Sequence, residues 1–172
     1  MDPKDRMIHY LQDANAAEVG ILEMLEDAVG LLDEPAKGAV REHLEQTKSQ
    51  ARRLEQRLEA LGGDRSGSKG FMNTLMAKFG SKMDIGHDEI DRQTMCLIKL
   101  YATEHLERGM YESMAAFAES IGDMETANLA REIQKEEERA GEKVYPMIRE
   151  YAMQALGATA NADTGSYGYP GP

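Results

Sequence analysis

The sequence predicts an all-α protein: an antiparallel four-helix bundle with one long crossover, containing a short helix, between helices 2 and 3. Three observations carry that expectation. Trp is absent, Phe occurs three times and Met twelve times; with much Ala, Leu, Met, Glu and Lys, this composition favours helices over strands. Four segments repeat apolar residues at alternating steps of three and four, the period of a bundle seam. Each seam is interrupted by a carboxylate or a histidine, and a carboxylate on a buried stripe costs several kcal/mol unless something pairs with it.

Helix 1 is expected from about Lys4 to Leu32, with Ile8, Leu11, Asn15, Glu18, Leu22, Leu25, Val29 and Leu32 along its seam. Asp33-Glu-Pro35 ends it, because proline cannot continue a helix and restrains the residue before it. Helix 2 starts near Pro35, a good first-turn residue, and runs to about Leu61. Its stripe is Val40, Leu44, Thr47, Ala51, Leu54, Leu58 and Leu61, with His43, Thr47 and Gln50 as an adjoining polar line. Gly62-Gly63 supplies a left-handed cap. The turn between these helices is short, so they form an antiparallel hairpin.

Residues 62 to 86 form a long connection. Gly63 to Gly70 is rich in Gly and Ser, and Phe71, Leu75, Met76 and Phe79 mark a short amphipathic helix. A crossover along the bundle accounts for such a length, and makes helices 2 and 3 run in the same direction. Helix 3 is expected from about Asp88 to Ile121, with Ile90, Leu97, Tyr101, Glu104, Arg108, Tyr111, Ala115 and Ala118 near its seam; Gly122-Asp123 closes it. Helix 4 follows from about Glu125 to Ala155, with Leu129, Ile133, Glu137, Ala140, Val144, Ile148 and Tyr151 on its seam and a kink at Pro146. The bundle domain thus covers residues 1–156. Residues 157–172 end in Thr164-Gly-Ser-Tyr-Gly-Tyr-Pro-Gly-Pro172 and read as a low-complexity, flexible tail, with Tyr-Gly-Tyr-Pro as a candidate protein contact.

Composition narrows the function. A net charge of −11 argues against nucleic acid, whose phosphates the chain would repel, and concentrates cations at the surface. Cys96 is the single cysteine, so one chain makes no disulfide and no cysteine-based zinc cluster; its apolar neighbours suggest a buried, inert thiol. The charged N-terminus is followed by no apolar leader, and no window approaches the roughly 18 apolar residues of a membrane span, so a cytoplasmic protein is expected.

The residues that could carry chemistry are the seam interruptions. Taken alone, Glu18 reads as a boundary residue reaching water, and a lone His43 as a hydrogen-bonded core histidine. As a ligand, His43 suits iron, manganese or zinc. Glu104 and Glu107, three residues apart, share a helix face, where their repulsion is relieved by a cation between them. Tyr111 continues that line and suits a hydroxyl that holds a ligand. Of Glu136, Glu137 and Glu138, the spacing from Ile133 and Ala140 turns Glu137 inward, with Glu136 next and Glu138 in solvent. His105 faces away from Glu104 by about 100° of helix, and His9 and His87 are weaker candidates. Together the set is oxygen-rich with one imidazole, which favours iron or manganese over softer-ligand metals. Di-iron carboxylate bundles use Glu-x-x-His on two helices. That motif is absent here: Glu104-x-x-Glu107 is its nearest form, Val40 precedes His43, and Ala140 follows Glu137.

Four segments carry a family resemblance: Leu11-Gln-Asp-Ala-Asn-Ala-Ala-Glu18; Glu42-His-Leu-Glu-Gln-Thr-Lys-Ser-Gln50 with Arg53-Leu-Glu-Gln-Arg-Leu-Glu-Ala-Leu-Gly62; Glu104-His-Leu-Glu-Arg-Gly-Met-Tyr111; and Gln134-Lys-Glu-Glu-Glu-Arg-Ala-Gly-Glu-Lys-Val144. Over roughly residues 5 to 152, the chain resembles the YciE/YciF-type ferritin-like family of bacterial stress proteins. The resemblance implies a ferritin-like bundle, a homodimer, and a central metal site drawing on Glu18, His43, Glu104, Glu107 and Glu136 or Glu137. Thr47, Gln50 and Tyr111 would support those ligands. Ala14 or Asn15 stands where the family has a tyrosine, and Gly141 where it has an acidic residue.

Two functional readings follow. In the first, a stress-associated ferritin-like protein holds iron, as a di-iron pair, or manganese, and handles redox, iron or peroxide chemistry. In the second, a metal-free structural or interaction dimer uses the buried polar residues as a hydrogen-bonded network that fixes register. An assembly role for the tail is a third.

Overall fold

The computed structural model describes residues 1–64 and 88–163. Among them are four helices and no strand: α1 (Pro3–Leu31), α2 (Ala36–Ala60), α3 (Glu89–Ser120) and α4 (Met124–Asp163). The expected short helix at Phe71–Phe79 and the residues after 163 lie outside the described residues. No described helix is long and apolar enough to cross a membrane.

The helices start and stop where local chemistry requires it. Both α2 and α3 end in a left-handed glycine, Gly62 at φ 80° and Gly122 at φ 78°. In each, the glycine N–H and the next one turn back onto the last carbonyls: Gly62 to Glu59 at 2.9 Å and Gly63 to Leu58 at 3.0 Å, then Gly122 to Glu119 at 3.2 Å and Asp123 to Ala118 at 2.9 Å. Gly63 is further restricted, because an added Cβ would lie 2.6 Å from Leu58 and 2.9 Å from Ile8. Asp88 caps α3 by accepting from the Asp91 N–H at 2.9 Å. Asp123 belongs to the next helix rather than only to the turn. It accepts from the Thr126 N–H at 3.1 Å and from the Thr126 hydroxyl at 2.6 Å, and Arg57 of α2 donates to it at 2.7 Å.

α4 contains Pro146, as expected, and differs from expectation at its end: it runs on to Asp163, past Ala155 and through Gly157. Proline removes one helical hydrogen bond and glycine weakens helix propensity. Ala155, Ala158, Ala160 and Ala162 surround Gly157 with the strongest helix former, a local preference that the glycine alone concealed.

Two apolar clusters show how the helices run. At one end, Met7 and Leu11 of α1 meet Leu54 and Leu58 of α2, Met114 and Ala118 of α3, and Ala127 and Ile133 of α4. At the other, Ile21 and Leu25 of α1 meet Val40, Leu97, Leu100, Val144 and Tyr151. The start of α2 and the start of α3 therefore share an end, so these two helices are parallel and the crossover topology holds. α1 with α2 and α3 with α4 form antiparallel hairpins. The α1–α2 turn is tied to the other hairpin: Gln93 donates to Leu31 O at 2.9 Å and to Asp33 Oδ2 at 3.1 Å, and Tyr151 donates to Asp33 O at 3.1 Å.

The seam of α2 is shifted from the expected one. His43, Thr47 and Gln50 are core residues, whereas Leu44 and Ala51 are half-buried. The steps 40-43-47-50-54 follow the bundle repeat, so the polar line is the seam itself. In α3, Leu100, Glu107 and Met114 occupy the interior, while Arg108 turns outward to pair with Glu138 at 2.8 Å. Cys96 is half-buried, and burial raises its thiol pKa to about 11, which agrees with an inert role.

If this account of the ends is right, Asp123→Ala should destabilise the protein by about 1–2 kcal/mol through the lost cap and its Arg57 partner. Leu54→Ala should cost more, about 2–5 kcal/mol, by opening a cavity. Urea unfolding of both variants measures the order.

Candidate metal centre

Between the two apolar ends lies a layer of buried polar side chains. Glu18 comes from α1; His43, Thr47 and Gln50 from α2; Glu104, Glu107 and Tyr111 from α3; and Glu137 from α4. Steps of three and four within α2 and α3 keep these residues on the inner face. Glu104, Gln50 and Glu137 are 0% exposed, and Glu18 and Glu107 are 1% exposed, so water does not solvate these carboxyls.

His43, Glu104 and Glu137 offer ligand atoms that all lie within 4.8 Å of one another. His43 Nε2 is 3.0 Å from Glu104 Oε1 and 3.9 Å from Glu137 Oε2. It makes a hydrogen bond to neither, and both ring nitrogens remain unpartnered. The surrounding carboxyls follow a common pattern. The Tyr111 hydroxyl donates to Glu18 Oε1, and Glu18 Oε2 has no partner. Gln50 Nε2 donates to Glu137 Oε1, and Glu137 Oε2 has no partner. Both Glu104 oxygens and Glu107 Oε1 are likewise unpartnered. One oxygen of Glu18 and one of Glu137 is thus held by the protein while the other is left free inside.

The remaining sequence candidates separate from this group. Glu136 is at the layer's edge with its side chain 19% exposed; it accepts from Arg53 and, at 3.0 Å, from Gln50. Glu138 is on the surface with Arg108. His105 is exposed, with Nδ1 3.0 Å from Tyr101 O. Thr47 is buried with its hydroxyl unpartnered, so it lines the layer without touching a carboxylate. Asn15 pins α1 to α2 by donating to Ala51 O at 2.9 Å.

Arg53 is the residue that the sequence reasoning missed. It anchors Glu136, and its charge acts on Glu18. In the sequence it is one of three basic residues in Arg52-Arg53-x-x-x-Arg57, with nothing to mark it out except its place three residues beyond Gln50.

Burial dominates the electrostatics. It raises Glu18 to about 8, with Glu137 adding to the rise. It raises Glu104 to about 7 and Glu137 to about 9, the latter also through the adjacent Glu104 carboxyl. Glu107 is raised well above the ordinary carboxylate range by burial and by Glu18, Glu137 and Glu104. Tyr111 is raised by burial and by the charge of Glu18, so it stays a hydrogen-bond donor.

A carboxyl whose pKa is higher folded than unfolded contributes stability that is full below its unfolded value of 4.5 and is lost as pH rises through the folded value. The metal-free protein should therefore weaken as pH rises above about 4.5, each carboxyl's share of the loss ending near the folded value at which Glu104, Glu18 and Glu137 ionise, about 7, 8 and 9. Glu107→Gln removes one such group. Its stability relative to the parent should climb with pH, by about 1 kcal/mol per pH unit above the unfolded carboxyl value. Urea titrations of both metal-free proteins from pH 5 to 9, a range on the order of the stable pH window, test this; parallel curves would contradict it.

With the fold and this geometry in place, the comparisons are direct. A family model described as Domain of unknown function (DUF892) matches residues 2–157. YcfI from Rhodopseudomonas palustris has a similar structure, with a TM-score of 0.75 and 24% identity, covering 84% of this chain and 94% of that one. The Escherichia coli stress protein YciF superposes with a TM-score of 0.72 and 23% identity, covering 88% of this chain and 98% of that one. Ferritin-like diiron-carboxylate proteins from Bacillus anthracis match with a TM-score of 0.64 and 13% identity, over 86% of this chain and 99% of theirs. No curated protein matches the chain. These findings agree with the YciE/YciF-type resemblance read from the sequence: the chain belongs to the DUF892 family, and its fold is that of the ferritin-like four-helix bundles.

Proposed function

We propose that this protein binds redox-active divalent metal, iron or manganese, at the bundle centre and uses it in iron or peroxide handling. The observation that supports this most is the set of unpartnered ligand atoms: Glu18 Oε2, both Glu104 oxygens, Glu107 Oε1, Glu137 Oε2 and His43 Nε2. Carboxylates buried together are costly when ionised unless a cation lies among them. Glu18, His43, Glu104, Glu107 and Glu137 are the proposed ligands. Glu136, tied to Arg53, is a supporting residue in this reading rather than a ligand.

Charge supports a pair of ions. Glu18, Glu104, Glu107 and Glu137 would carry four negative charges when ionised, which two divalent cations balance. Oxygen donors with a single imidazole suit iron or manganese. When bound, such a metal supplies electrons for reduction of dioxygen or peroxide. The chain's own residues do the rest. Tyr111 fixes the orientation of Glu18, and Gln50 fixes that of Glu137. Leu11, Leu54, Leu97 and Leu100 close the apolar ends and keep bulk water from the layer. The ferritin-like relative described as diiron-carboxylate shares the fold, which makes the reading natural without deciding the metal.

The competing metal-free network fits less well. A hydrogen-bonded network fixes register when its members are satisfied; here Tyr111 meets Glu18 and Gln50 meets Glu137, while Glu107 Oε1 and both ring nitrogens of His43 have no partner.

Protein purified without chelator should carry iron or manganese by mass spectrometry. Adding ferrous iron or manganese to the stripped protein should raise Tm, because the ion binds the folded state alone. His43→Ala should lower metal content. Tyr111→Phe should weaken metal affinity on the order of tenfold while leaving the fold intact. Absence of metal together with an unmoved Tm would reject the proposal.

A further inference from the structure

Glu132, Glu136 and Glu137 of α4 step from solvent to the interior. The Glu132 side chain is 69% exposed, that of Glu136 is 19% exposed, and Glu137 is buried in the layer. Glu132 and Glu136 are one helical turn apart and share a face. Gln50 Nε2 donates to Glu137 and, at 3.0 Å, to Glu136, and so joins the edge of the layer to its middle. A cation that enters a bundle must be met by carboxylates on its way, because an apolar wall gives it nothing in exchange for water.

The place between the outer two carboxylates is held by a cation of the chain's own. Arg53 donates from Nη2 to Glu136 Oε2, and its Nη1 lies 3.8 Å from Glu132 Oε2. Three features mark it as a side chain that can turn away. Its Nε is buried and has no partner, so the seat leaves unmade a hydrogen bond that water would supply. Beside it lies a cleft of about 330 Å³ between α2 and α4, with Gln56 on one wall and Asn128 and Leu129 on the other. Glu132 lines the same cleft, so the guanidinium keeps an acidic neighbour when it moves outward.

We propose that Arg53 is the gate of the layer. At rest it closes the path from Glu132 through Glu136 to Glu137. It turns into the cleft when a divalent cation arrives, and returns once the ion has passed to the buried carboxylates. The proposal rests on the metal reading above, and adds to it the route and the residue that controls it. A gate differs from a brace in what it changes. It sets how fast the ion enters and leaves, and not how tightly the ion is held, because it stands closed again in the loaded protein.

Cobalt(II) is a suitable probe, since its visible absorbance reports ligation without a change of oxidation state. Rapid mixing with the metal-free protein gives the rate of uptake. Mixing the loaded protein with a chelator gives the rate of release, and equilibrium titration gives Kd. Arg53→Lys keeps the charge and loses the planar fork that spans Glu132 and Glu136. It should speed uptake and release alike, on the order of tenfold, the weight of one charge-assisted hydrogen bond, with Kd unchanged. Asn128→Phe, at an exposed position on the cleft wall, should slow both rates by filling the space into which Arg53 turns. Circular dichroism shows that each variant is folded. Rates that neither variant moves, or a shift in Kd that accounts for the change in rate, would overturn the gate and leave the metal reading standing. Cobalt that binds to none of the proteins would reject both.

Discussion

The mutual burial of four carboxyls around one imidazole is the constraint on which the structure depends. Glu18, Glu104, Glu107 and Glu137 occupy positions where a bundle would otherwise place leucine. A buried, uncompensated charge costs several kcal/mol, against a total stability of about 5–15 kcal/mol for an ordinary domain. Protein donors meet part of that demand, and several of the buried oxygens have no donor from the protein. Each of the four helices contributes to the layer, so none can slip by a residue without turning a carboxyl into the apolar core or a leucine into the polar layer.

The partners are unevenly distributed, and that gives the layer direction. Tyr111 and Gln50 hold one oxygen each of Glu18 and Glu137. Gln50 also reaches Glu136, which Arg53 links towards the surface. One side of the layer is therefore braced through α2 and α4. On the other side, the buried His43 is among the residues lining a cleft of about 230 Å³ that Glu42, Arg139 and Lys143 border.

Much of this was legible in the sequence because both the fold and the layer obey one period. Ile133, Glu137, Ala140 and Val144 fix the inward face of α4, and so select Glu137 over Glu136 and Glu138. The glycine caps at Gly62 and Gly122 marked two helix ends through backbone conformation alone. What escaped was set by contacts between helices. The seam of α2 passes through His43 and Gln50 rather than Leu44 and Ala51, and there Gln50 donates to Glu137 on the helix opposite. Arg53 gains its role from Glu136, a residue 83 positions away. The cleft exists because Ala39 and Ala140, small residues on different helices, face one space. No spacing rule within a single helix reveals such a pairing.

The two apolar clusters end the bundle on either side of the polar layer, and each draws on all four helices. They act as separate clamps. Thermal robustness can be adjusted at Met7, Leu58 and Ala127, or at Leu25, Leu97 and Tyr151, without touching a residue of the middle. Conversely, the polar residues of the middle can change while the two clamps keep the helices in register. A scaffold divided along its length in this way lets the stability of the ends and the composition of the middle vary independently.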